Sequence, residues 1–213
     1  MTIKSISAIL TLVALSCLLS SCENQSKTSA PTATVPKTEE HSQHGKQMME
    51  GMDAMMQRTK AMKMTGDFDV DFSSMMIEHH QGAIDMSRIE LAAGTDAEMK
   101  TMAQQIITAQ QTEIATLRTF VQNHPVKAAN PQPMHGNSME TMHQQMKSMP
   151  MTGKVDHDFA GMMMVHHQGA VAMAQEALIK GKHAEIKQMA QQMIADQQRE
   201  IAAFQTWLGK NGQ

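Results

Sequence analysis

Two fifteen-residue stretches hold the residue types best able to do chemistry. Phe72-Ser-Ser-Met-Met-Ile-Glu-His-His-Gln-Gly-Ala-Ile-Asp-Met86 returns as Phe159-Ala-Gly-Met-Met-Met-Val-His-His-Gln-Gly-Ala-Val-Ala-Met173, at an offset of 87 residues and with nine positions identical. The identities are the Phe, both leading Met, both His, then Gln, Gly, Ala and the last Met. Imidazole nitrogen and thioether sulfur therefore recur together at helical spacing. Thioether is a soft ligand that selects Cu(I), and Ag(I) by the same argument, while imidazole suits copper in either oxidation state. Thioether side chains also fill cores, and a buried histidine can simply find hydrogen-bond partners; Glu113 and Glu200 are candidates. A histidine dyad ringed by Met in two copies favours metal ligation by at least one dyad, the candidates being Met75, Met76, His79, His80 and Met86 and Met162, Met163, His166, His167 and Met173. For any single Met, core packing weighs as much.

Other metals fit less well. Zinc sites are built from Cys, His and carboxylate. Di-iron bundles use Glu-x-x-His pairs; the one such pair, Glu140 and His143, has Asp53 and Met56 as repeat mates. There is no Cys-x-x-Cys-His for haem attachment. No nucleophile–base arrangement and no pair of catalytic carboxylates is visible, so a binding protein is expected rather than an enzyme. A metal-dependent oxidase of ferritin-like type, or a structural envelope bundle with Met as core filler, are the alternatives.

These residues need helices to position them. At about 3.6 residues per turn, His79 lies in the middle of an apolar stripe, flanked by Met75, Met76 and Met86. His80 falls on its shoulder. The second copy places His166 and His167 alike. On this reading the edge pairs, Met76 with His80 and Met163 with His167, stand nearer the Met-rich arms and take metal first, while the central pair mainly packs. Gly82 and Gly169 each cost about 1 kcal/mol against Ala inside a helix, which points to close approach of another helix or a ligand. A helix from about Asp67 to Ala93, closed by Gly94, is followed by one from Thr95-Asp-Ala-Glu98, which has capping-box form. The second copy repeats this up to about residue 208. Ahead of each hairpin runs a Met-rich arm. Met48, Met52 and Met55 share one face of the first; Met139 and Met142, with His143, belong to the second. These three Met of the first arm and these three residues of the second are further candidate ligands. Each arm should pack on the rest of the chain or stay partly mobile. The expected fold is all-α: a four-helix bundle of two duplicated hairpins, each preceded by a short Met-rich helix.

The chain has 213 residues, 25 of them Met, no Tyr and a net charge of -3. Without a basic surplus or stripe, nucleic acid is not an expected partner. Residues 1–21 have a charged start at Lys4 and an apolar run from Ile6 to Leu19, the pattern of an export signal. The run closes on Leu19-Ser-Ser-Cys22, like a bacterial lipobox, so Cys22 is the expected lipid anchor and the only membrane attachment. Cys17 leaves with the signal, and no disulfide is expected. Residues 22–45 read as a disordered tether. His41 and His44, at its end, are either solvated or an aid to metal capture. Residues 46–124 form the first repeat, 125–133 a Pro-rich linker and 134–213 the second repeat.

The string Met-Met-x-x-His-His-Gln-Gly-Ala-x-x-Met after a Phe, with Gln110-x-x-Glu113-Ile114 later, resembles the domain of unknown function 305 family. The doubled arrangement with Met-rich arms is similar to a copper-binding cyanobacterial member. The resemblance runs from about residue 46 to the C-terminus. It implies a ferritin-like helical bundle in the cell envelope that binds copper and contributes to copper resistance. A copper efflux system is the possible recipient. By motif match the ten Met and His of the two fifteen-residue stretches carry over as ligands.

Overall fold

The structure, a computed structural model, describes residues 37–126 and 137–212. The export signal, Cys22, the tether up to residue 36 and most of the Pro-rich linker lie outside the described residues. Six helices follow one another: α1 (Lys37–Ala61), α2 (Phe68–Ala93), α3 (Ala97–Asn123), α4 (Ser138–Ser148), α5 (Val155–Lys180) and α6 (Ala184–Asn211). The fold is all-α, and no strand occurs among the described residues. Helix α1 begins at Lys37, so residues 37–45 are helical where tether was expected. His44 there bonds Gln47 one turn on.

The break before each central helix has one chemical cause, used twice. Gly66 and Gly153 take φ of 85° and 73°, the left-handed region in which glycine has no steric penalty. The turn is then held by a carboxylate from the helix it precedes. Asp71 accepts from Thr65 N (2.8 Å), Thr65 Oγ1 (2.7 Å) and Gly66 N (3.0 Å). Asp158 does the same with Thr152 N (2.7 Å), Thr152 Oγ1 (2.7 Å) and Gly153 N (3.1 Å).

The other first-turn carboxylate of each central helix, Asp69 in α2 and Asp156 in α5, reaches across to the other repeat. Asp69 accepts from the backbone N–H of Lys182 and His183, both at 2.9 Å, at the start of α6. Asp156 accepts from Thr95 N (2.8 Å), Thr95 Oγ1 (2.9 Å) and Asp96 N (2.9 Å), at the start of α3. Each hairpin thus satisfies orphan amides of the other. This corrects the capping-box expectation. Thr95 serves Asp156, the N-cap of α3 is Asp96, which accepts from Met99 N, and Glu98 is exposed. Burial pushes the Glu90 carboxyl up to about 8, helped by its hydrogen bond to Asp156. At neutral pH Glu90 therefore holds the proton and donates it toward Asp156.

The hairpins α2–α3 and α5–α6 meet along α2 and α5; α1 packs on α2, α4 and α5, and α4 on α5. The arms are integral to the core. Met48, Met52 and Met55 are 0% exposed, and Met139, Met142 and Met146 no more than 3%. Burying each Met contributes about 1.5–3 kcal/mol. Asp53 to His143 and Lys60 to Glu140 link the two arms. On the other side, α3 and α6 flank a cleft lined by Gln105, Gln110, Glu113, Gln197 and Glu200. No helix of the described residues is long and apolar enough to cross a membrane.

Candidate metal centre

Helix α2 brings His79 to the seam with α5, and α5 brings His166 to the same seam from the other side. Their ring centroids are 3.7 Å apart with planes tilted by 40°. Both residues are fully buried. Neither ring nitrogen of either residue has a hydrogen-bond partner. Burial, and after it the nearby histidines, holds both well below the ordinary imidazole pKa. They are neutral at pH 7, and each carries one nitrogen lone pair free for a ligand.

The thioethers reach this seam through missing side chains. A Cβ on Gly82 would stand 2.8 Å from Met55 Sδ, 2.9 Å from Met52 Cε and 3.2 Å from His166 Nε2. Glycine at 82 therefore lets α1 lay its sulfur beside the imidazole pair. A Cβ on Gly169 would meet Met142 Sδ at 2.8 Å and its Cβ and Cγ at 3.1 Å. The close approach expected at both glycines is that of the Met-rich arms.

His80 and His167 are equally buried but face outward along α3 and α6. His80 Nε2 lies 2.6 Å from Glu113 Oε2, and His167 Nε2 lies 2.7 Å from Glu200 Oε2. Both contacts fall outside hydrogen-bond alignment, and the Nδ1 atoms have no partner. This corrects the expectation that the shoulder histidines stand nearer the arms. It is His166 of the central pair that shares the space at Gly82 with the ends of Met52 and Met55, and the glutamates named as partners lie against the outer pair.

The other expected ligands are placed as follows. Met75, Met76, Met86, Met162, Met163 and Met173 are all in the core, at 8% exposure or less. Met48 and Met139 lie in the same core cluster. His143 is also buried, but its Nε2 bonds Asp53 Oδ1 at 2.6 Å, which leaves Nδ1 without a partner. Among the described residues no three His, Cys, Asp or Glu converge as a metal site. Any ion at the seam would therefore draw on thioether as well as imidazole. That donor set fits a soft monovalent ion. No local sequence pattern pairs Asp53 with His143. The two are repeat-shifted neighbours on the two arms, and only the packing of α1 on α4 joins them.

The family described as "Domain of unknown function (DUF305)" matches residues 13–121 and 120–208, two copies that span most of the chain. Among solved structures, CopM in its Cu(II)-bound form is 30% identical, covering 67% of this chain and 96% of that one at a TM-score of 0.52. CopM in its Cu(I)-bound form is 28% identical over the same shares, with a TM-score of 0.51. A DUF305 protein from Streptomyces coelicolor, described as secreted, shares the fold at 21% identity. It covers 70% of this chain and 96% of that one, with a TM-score of 0.58. No curated protein matches the chain.

Proposed function

The chain belongs to the DUF305 family, and on that premise we propose that it is an exported copper-binding protein. Its cargo is Cu(I), with Ag(I) as a mimic and Cu(II) as a second oxidation state. The observation that carries this reading is the seam: two fully buried imidazoles with no partner on any nitrogen, beside the arm thioethers. An unpartnered buried polar group costs about 1–3 kcal/mol. A soft ion shared by His79, His166 and the Met of α1 and α4 would turn that cost into ligation. The similarity to copper-bound CopM supports the same cargo.

The outer histidines are auxiliary in this reading. Glu113 and Glu200 lie against Nε2 of His80 and His167 and leave each Nδ1 without a partner. The protein binds without turnover. It sequesters copper or passes it to an efflux system and so contributes to copper resistance. The apolar run before Cys22 supports export, with a lipid anchor on Cys22 holding the protein at the envelope. Titration with Cu(I) against a competing chelator tests the proposal. Sub-micromolar affinity, lost when all four dyad histidines become Ala, is expected; affinity unchanged in that variant refutes the site.

A further inference from the structure

We infer that His124 and His183 form a second metal site, at one end of the bundle, for a divalent ion of the Cu(II) type. It stands apart from the seam and does not rest on the seam's reading.

The two rings are brought together from different repeats. His124 follows α3, and His183 opens α6. Their centroids are 4.6 Å apart with planes at 70°. Phe120 fixes both: His124 stacks on it at 4.0 Å, and His183 meets it edge-on at 5.2 Å. At that separation two ring nitrogens can reach one ion, with bonds of about 2.0–2.1 Å.

The tautomers follow from the partners. His124 Nδ1 lies 2.8 Å from the Phe120 carbonyl oxygen, which can only accept, so Nδ1 carries the proton. His183 Nδ1 lies 2.6 Å from Asp69 Oδ2. That carboxylate is buried and already accepts two backbone N–H groups, so here too Nδ1 donates. In the neutral form each ring therefore presents Nε2 as a lone pair. A carboxylate or carbonyl on one nitrogen with the metal on the other is the recurrent support of metal-binding histidine. Gly181 makes room for the carboxylate, since a Cβ there would stand 2.8 Å from Asp69 Oδ1.

The ion class follows from donors and access. Imidazole suits divalent copper and zinc, and at a given nitrogen site Cu(II) binds most tightly. The His183 side chain is 38% exposed, so an ion can arrive from solvent and keep water in its remaining positions. The repeat mates of His124 and His183 are Asn211 and Asp96. The site is therefore single, unlike the duplicated seam.

The test is paramagnetic broadening of backbone amide resonances in the full chain, with up to one equivalent of Cu(II). Broadening centred on residues 120–124 and 181–184 is expected. His124→Ala, which leaves the Asp69–His183 bond intact, should weaken the apparent affinity there at least tenfold, and His124→Ala/His183→Ala should abolish it. His79→Ala/His166→Ala should leave it in place, which separates this site from the copper reading of the seam. No broadening at this end, or broadening there that persists in the His124/His183 double variant, overturns the proposal.

Discussion

The two histidines of each dyad are adjacent in the chain and equally buried, yet they sit in opposite chemistry. His79 and His166 face each other across the α2–α5 seam among arm thioethers. His80 and His167 face carboxylates on the outer helices, beside the α3–α6 cleft. One residue is about 100° round the helix, enough to move an imidazole from a soft, dry environment to one backed by negative charge. Burial alone does not tell a ligand from its support; the neighbouring atoms do.

The largest expected effect breaks the pairs apart. His79→Ala/His166→Ala should lower Cu(I) affinity at least 100-fold in chelator competition, while His80→Ala/His167→Ala should lower it less than tenfold. The reverse order would make the outer pair the primary ligands.

Proton linkage probes the same difference. The folded protein keeps His79 and His166 neutral below the pH at which the unfolded chain takes up protons, near 6.5. The unfolded state then holds more protons, so stability is fully present above about pH 6.5 and falls as pH falls toward the depressed folded values. The slope is up to about 1.4 kcal/mol per pH unit for each histidine. Urea unfolding of the apo protein from pH 7.5 to 5 should show this decline, and His79→Ala/His166→Ala should flatten it. An unchanged slope in that variant would contradict buried, neutral central histidines.

Smaller effects come from the glycines. In Gly82→Ala the new methyl meets the ends of Met52 and Met55 and stands 3.2 Å from His166 Nε2, so lost packing is set against a helix-propensity gain of about 1 kcal/mol. Stability should change little, while Cu(I) affinity falls about tenfold as the sulfurs are pushed aside. Gly169→Ala also strikes Met142 Cβ and Cγ, near the backbone. It should cost about 1–3 kcal/mol in thermal or urea unfolding. Smallest is Glu113→Gln/Glu200→Gln, which keeps the shape and removes the outer charge. Cu(I) affinity should shift less than threefold. A larger loss would mean that the carboxylates act on the copper site itself.

Much of this was legible beforehand. The 87-residue repeat, the extent of α2 and its closure at Gly94, and the central position of His79 follow from helical period and duplication. Period fixes where a side chain sits on its own helix but not which helix covers it. So the period puts His80 at the shoulder of α2 without showing that its neighbour is Glu113 on α3. Asp69 and Asp156 are acidic residues in the first turn of α2 and α5, where negative charge favours a helix start, yet their work is done on the opposite repeat. Thr95 looked like a local cap because its true partner is 61 residues away. The arms were ambiguous because Met serves mobile clusters and cores alike; full burial of Met48, Met52 and Met55 decides for the core.

The most direct measurement is anomalous scattering from crystals loaded with Cu(I) or Ag(I). The account predicts a peak at the α2–α5 seam, bonded to nitrogen of His79 or His166 and to sulfur from Met52, Met55 or Met142. Peaks confined to the His80–Glu113 and His167–Glu200 contacts, or none at the seam, would contradict it.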